Sequence, residues 1–189
     1  MRSSGSTPSL PRSAGPRLYL VVAGEDHPKA CTGRRLLKLG RAREVPHPGV
    51  LHPPPVVLDP RAPEPLSGGD RDAAVRGGLL AVDCSWNLLA DRGSLPSARG
   101  GGGAAALARR LPVLVAANPQ HYGRVAELNT VEALSAALYL LGFPAESRAL
   151  LEGFRGGAGF LEVNHDRLER YSRAATPSEI RAAESELFT

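Results

Sequence analysis

Cysteine is scarce: Cys31 and Cys84 are the only two in 189 residues, and they form no CxxC pair. That excludes a disulfide scaffold and a four-cysteine zinc site, and a reducing, cytoplasmic compartment is expected. Long apolar runs are also missing, since nothing approaches the ~18 residues of a membrane helix. The opening 1–16 is rich in Ser, Pro and Gly and has no apolar stretch of the signal-peptide kind. It reads as a disordered lead-in, with no membrane partner expected. Lysine is nearly absent, because all but Lys29 and Lys38 of the 23 basic residues are arginine. A GC-rich genome gives the same bias, so it does not by itself establish phosphate recognition. No P-loop, dinucleotide-binding glycine fingerprint or Gly-x-Ser-x-Gly elbow occurs, which removes the usual signatures of phosphate cradling and serine hydrolysis.

What is present fits one compact domain or two small lobes, long enough to bury a core without staples. The net charge of +4 is unevenly placed. From Pro144 onward 6 arginines face 8 acids, so the basic surface lies in the first three quarters. Its densest part is Lys29, Arg34, Arg35, Lys38, Arg41 and Arg43, with no acid between the first and the last. Such a cluster suits a polyanion such as nucleic acid, or is simply a solvated helix face.

Four apolar runs, 18–23, 56–58, 79–82 and 113–116, read as buried parallel strands. Residues 31–39 predict a short basic helix closed by Gly40, and 104–109 a second small helix. Beyond Asn118 the pattern turns helical. Asn129-Thr130-Val131-Glu132 is a capping box before a helix running to Gly142. Further helices are predicted over 144–152, 164–171 and from the Thr176-Pro177-Ser178-Glu179 box. The division expected is a lead-in at 1–16, an α/β lobe at 17–103 and a mainly helical lobe at 104–189.

Two segments carry the candidate chemistry. Val82-Asp83-Cys84-Ser85-Trp86 puts a carboxylate and a large aromatic at a strand end, where α/β folds bind ligands. A turn-capping aspartate and a core tryptophan are the alternative reading. The second is 111–119, which runs into His121-Tyr122-Gly123 and the helix start at Thr130, a site for a carboxylate. His27 and Cys31, with His47, His52 or Cys84, have the residue types of a zinc site, but scattered loop histidines are ordinarily solvated, and no metal is expected.

Asp26-His27-Pro28-Lys29-Ala30-Cys31-Thr32-Gly33, Val82 to Trp86, the Leu-Pro-x-Leu-Val-Ala-Ala-Asn-Pro run at 111–119, Tyr122-Gly123 and Asn129 to Leu134 occur in one order. Together with Gly159-Phe160-Leu161-Glu162-x-Asn164, they resemble the ribosomal RNA aminocarboxypropyltransferase family, from about Leu18 to the C-terminus. The resemblance implies an N-terminal α/β lobe and a helical C-terminal lobe, SPOUT-like, with a deep trefoil knot around S-adenosylmethionine. It implies transfer of the 3-amino-3-carboxypropyl group to N3 of a hypermodified pseudouridine, with or without an N1 methyl group, in small-subunit rRNA, with methylthioadenosine released. A monomer is expected. By the same resemblance Thr32 meets the cofactor's amino-acid end, Val82 its ribose, and Leu111, Ala126 and Thr130 its adenine and methionine parts. Trp86 packs on the methyl side and Asp83 is the catalytic-site carboxylate, as base or as positioning group. Ala126 stands where the family usually has an aromatic residue. The alternatives are a non-catalytic rRNA-binding assembly factor and a SPOUT-type RNA methyltransferase.

Overall fold

Uncharged runs of Val, Leu and Ala form the inner strands of one parallel sheet. The computed structural model describes residues 15–22, 32–83 and 106–187. Within them lie β1 (Leu18–Val22), β2 (Arg43–Glu44), β3 (Val56–Leu58), β4 (Leu79–Asp83) and β5 (Leu107–Arg109). The order is β2-β1-β4-β3-β5, parallel throughout. Seven helices accompany the sheet among the described residues: α1 (Thr32–Lys38), α2 (Arg71–Gly77), α3 (Thr130–Leu140), α4 (Pro144–Leu151), α5 (Gly157–Val163), α6 (His165–Ser172) and α7 (Pro177–Leu187).

Alternate strand residues separate two apolar layers. Leu20, Val56, Leu58, Leu79 and Ala81 join Leu36 of α1, Ala74 of α2 and Leu134 and Leu138 of α3 in the main core. Tyr19, Val21, Val57 and Leu80 form a smaller cluster on the opposite face, against Val45, Leu51, Val82 and Ala106. Strands covered on both sides need no polar face, which is why these runs carry no charge.

Local signals end the helices where the sequence places them. The chain turns out of α1 through Gly40 at φ +67°, a conformation that costs glycine nothing. At the start of α3, Asn129 Oδ1 accepts the Glu132 N–H at 2.9 Å and the Glu132 carboxylate accepts the Asn129 N–H at 3.0 Å. The Thr176 hydroxyl accepts the Glu179 N–H at 3.3 Å before α7. Arg71 binds the far end of α3, its guanidinium 3.9 Å from the Phe143 ring centroid and donating to the carbonyls of Leu141 and Gly142.

Two sequence expectations are corrected. The helix expected at 104–109 is, over its described part, the edge strand β5. Leu107 N–H donates to Pro55 C=O at 3.1 Å and Asp59 N–H to Arg109 C=O at 2.9 Å. Pairing with β3 overrides the helical preference of an alanine- and arginine-rich stretch. The strand expected at 113–116 is extended but lies outside the sheet, with one isolated antiparallel bridge from Val115 to Val125. Its hydrogen-bond partners, described below, are side chains from the C-terminal helices and the junction between two of them on one edge and the returning chain on the other. The sequence reading also lacked β2, α2 and α5.

Candidate functional site

β1 and β4 end side by side with Val22 opposite Asp83, so the chain leaves both at the carboxyl edge, where open parallel sheets bind ligands. Val82, half-buried, packs on the smaller core one residue before this edge. Thr32, also half-buried, is the first residue of α1. Helix α1 packs against α3, which in turn lies on β4. The two helices that begin at Thr32 and Thr130 thus pack on the main core beside β4, while Val82 faces the smaller cluster on the other side of the sheet.

On the far edge Arg110 prolongs β5, its C=O taking the Leu66 N–H at 2.8 Å and its N–H reaching Glu64 C=O at 3.0 Å. The segment 111–118 then has both edges engaged. On one edge Glu184 accepts the Val113 N–H at 3.1 Å while binding Arg110 through both carboxylate oxygens at 2.7 and 2.8 Å. The Tyr171 hydroxyl donates to Val113 C=O at 3.2 Å. Asn164, with no solvent exposure, accepts the Val115 N–H and donates to Val115 C=O, both at 2.8 Å, and also donates to Phe160 C=O at 3.0 Å. Glu132 accepts the Ala117 N–H at 2.9 Å and the Asn118 side-chain amide at 2.7 Å.

The other edge pairs with the returning chain. Ala116 N–H donates to Arg124 C=O, Gly123 N–H to Ala116 C=O and Ala126 N–H to Leu114 C=O, at 2.8–2.9 Å. An amide side chain copying a neighbouring strand satisfies a buried backbone as well as a strand would. Gly156 completes the fit from α5: at φ +81° a Cβ there would come 2.3 Å from Ala117 C=O.

This loop carries three of the expected cofactor residues. Leu111 is half-buried against the main core. Ala126 is exposed at φ 63°, the one non-glycine residue with positive φ among those described. Thr130 opens α3 directly after the capping residue Asn129. A helix start and backbone groups fixed by buried side chains suit the charged end of a ligand.

Comparison with known proteins gives the family. The profile described as "Ribosome biogenesis protein, C-terminal" matches residues 56–188. The 16S rRNA aminocarboxypropyltransferase of Methanopyrus kandleri is 45% identical over 171 residues, covering 90% of this chain and 98% of that protein. The chain belongs to the rRNA aminocarboxypropyltransferase family. The 18S rRNA aminocarboxypropyltransferase of Schizosaccharomyces pombe is 37% identical over 161 residues, 85% of this chain and 53% of that longer protein. The solved structure of the SAM-dependent rRNA:acp-transferase from Vulcanisaeta distributa superposes with a TM-score of 0.75 at 32% identity, covering 91% of this chain and 95% of that one.

Other site expectations for this family member fall as follows. Lys29 and Trp86, and the possible zinc ligands His27, Cys31 and Cys84, lie outside the described residues, as does the start of the motif at 26–33. Asp83 is placed by its backbone pairing alone. Arg34, Arg35, Lys38 and Arg43 are exposed. Arg35 also sits 5.0 Å from the Phe154 ring centroid, and Arg41 donates to the carbonyls of Leu150 and Glu152 at 3.1 and 2.8 Å, closing α4. Among the described residues no three His, Cys, Asp or Glu side chains gather as metal ligands, and no helix is long and apolar enough to cross a membrane.

Sequence reading missed Asn164, Tyr171 and Glu184 as holders of the loop. The one available signal was Asn164 closing the motif at 159–164. Burial, and then the nearby Glu184 charge, pushes the Tyr171 phenol up to about 12 from its usual 10. A raised pKa means the fold favours the neutral phenol. Its stabilising share is complete below about pH 10 and is lost as pH rises through about 12. Denaturation between these pH values is expected to show a decline that is shallower in Tyr171→Phe. An equal decline in both would remove Tyr171 as its source.

Proposed function

We propose that the chain transfers the 3-amino-3-carboxypropyl group of S-adenosylmethionine to N3 of a pseudouridine, with or without an N1 methyl group, in small-subunit rRNA during ribosome maturation. The observation that carries this reading is the 45% identity to a 16S rRNA aminocarboxypropyltransferase over nearly the whole of both chains. The braced loop at 111–118 supports it physically. When bound, the cofactor supplies a sulfonium whose flanking carbons are all electrophilic, so the protein's task is to orient one of them.

In this reading Val82 and Leu111 line the nucleoside end, and Thr32 and Thr130 meet the amino-acid end at the starts of α1 and α3. Trp86 covers the methyl side. Asp83 either accepts the proton that the imide nitrogen must lose or holds the site in place. Arg34, Arg35, Lys38 and Arg43 meet RNA phosphates together with Lys29 and Arg41, positioning the RNA without reading its bases. A SPOUT-like trefoil knot belongs to the same proposal, supported by the hydrogen bonds that 111–118 makes to Glu132, Asn164, Tyr171 and Glu184 and by its pairing with the return at 123–126. So do a lobe boundary near residue 103, a monomeric state and a cytoplasmic location. β5 falls beyond that boundary and still pairs with β3.

Ala126, in the place of the family's aromatic, is the one feature that favours a non-catalytic assembly factor. Its N–H is engaged by Leu114 C=O at 2.8 Å, and the residue is exposed. The small product tests the reading. Incubated with S-adenosylmethionine and small-subunit rRNA, the protein is expected to release methylthioadenosine. Release of S-adenosylhomocysteine would mean methyl transfer, and neither product would mean an assembly factor.

A further inference from the structure

Tyr122 is 77% exposed, the most of any large hydrophobic side chain among the described residues. A mobile loop tip would explain such a ring, but this backbone is fixed on every side. His121 N–H donates to the Asn118 side-chain oxygen at 3.0 Å, and Gly123 N–H to Ala116 C=O at 2.8 Å. Arg124 N–H reaches His121 C=O at 2.9 Å, and Arg124 C=O accepts from Ala116. Asn118 itself is buried and tied to Glu132. The left-handed turn at Gly123, φ 78°, projects the ring from this frame.

The neighbours of the ring choose between partners. Among the described residues of this loop, Val125, 52% exposed, is the one other large hydrophobic that is exposed, less apolar surface than a protein partner needs. Instead a cation lies two residues away. The Arg124 side chain is 63% exposed and meets Glu127 at 3.0 Å in a surface pair, an interaction of little net strength and easily exchanged for a phosphate. One rigid, protruding aromatic beside an exchangeable guanidinium matches the way unpaired RNA is held, with bases stacked on rings and the backbone on basic groups. The same loop carries Leu111, Ala126 and Thr130, so a base held there lies on the element that lines the candidate cofactor site.

We infer that Tyr122 is a stacking platform for an unpaired base of the substrate RNA, with Arg124 on an adjacent phosphate, a role that depends on the chain acting on rRNA. Its exposure is then a cost in the free protein that RNA binding relieves, and the bracing keeps the ring from collapsing onto the surface.

The test uses the full chain with saturating S-adenosylmethionine and a labelled small-subunit rRNA transcript, with cofactor affinity measured separately by calorimetry. Tyr122→Ala is expected to weaken RNA binding roughly 5- to 150-fold, with Tyr122→Phe close to the parent, because stacking needs the ring and not the hydroxyl. The salt dependence of Tyr122→Ala should match the parent's, whereas Arg124→Ala should flatten the slope by roughly 0.7. Unchanged RNA affinity in Tyr122→Ala overturns the proposal, as does an equal loss in Tyr122→Phe. A parallel fall in cofactor affinity does so too, since the loop would then be acting through the cofactor site. RNA loss in Tyr122→Ala from a chain that transfers no aminocarboxypropyl group would keep the stacking site and refute the enzymatic reading alone.

Discussion

Asn164→Ala is expected to lower stability by about 2–6 kcal/mol and to weaken S-adenosylmethionine binding more than RNA binding. The substitution removes three hydrogen bonds made by a fully buried amide. Val115 loses partners for both its N–H and its C=O, and each group left unpaired in the interior costs about 1–3 kcal/mol. A domain of this size is stable by only about 5–15 kcal/mol, so the loss is a large fraction of the whole. Asn164→Asp separates geometry from volume. It keeps an acceptor for the Val115 N–H but, when ionised, faces two carbonyls without a proton to give. Its stability should therefore recover as pH falls and the carboxyl protonates. Urea denaturation of both variants checks the account. A cost below about 1 kcal/mol for Asn164→Ala would mean that water replaces the amide and that Asn164 does not hold the loop.

Glu132→Ala is expected to cost about 3–5 kcal/mol, far more than the loss of an ordinary helix cap at about 1 kcal/mol. The carboxylate is 2% exposed and accepts from Ala117 N–H, the Asn118 amide and Asn129 N–H together. Hydrogen bonds to a charged acceptor are the stronger kind, and two of these donors are buried when orphaned. Glu132→Gln keeps the shape but turns an NH2 group toward a donor, so a smaller cost of about 1–2 kcal/mol is expected. Amide exchange at Ala117 should quicken in both variants. Glu132→Ala destabilised only as far as a cap would be places the burden on other contacts.

The contrast between these two residues shows what a single sequence can reveal. Glu132 was visible as half of a capping box because its partner Asn129 is three residues away. Its grip on Ala117 and Asn118 was not, because nothing in local spacing records which loop a buried carboxylate will meet. Asn164, Tyr171 and Glu184 act on residues 49, 58 and 71 positions away, beyond any periodic signal. For the same reason 113–116 looked like a strand. Apolar runs report burial and extension, and say nothing of whether the hydrogen-bond partner is a strand or a helix side chain. Helices α3, α4 and α7 were legible from capping boxes and proline. Helix α5 was not, since it starts after a left-handed Gly156 with no capping side chain. β2 has two residues, both exposed and charged, and offers no hydrophobic pattern. Of the candidate site, Thr130 was legible as a helix start and Val82 as the end of an apolar run, while Thr32 was singled out by the family resemblance and lies one residue inside the helix predicted at 31–39.

Transfer with doubly labelled cofactor tests the central claim most directly. S-adenosylmethionine carrying one label in the aminocarboxypropyl chain and another in the methyl group is incubated with the protein and small-subunit rRNA, and the RNA is digested to nucleosides. The chain label is expected in a pseudouridine-derived nucleoside, and the methyl label in methylthioadenosine. Methyl label in the RNA, with the chain label left in S-adenosylhomocysteine, would contradict the account.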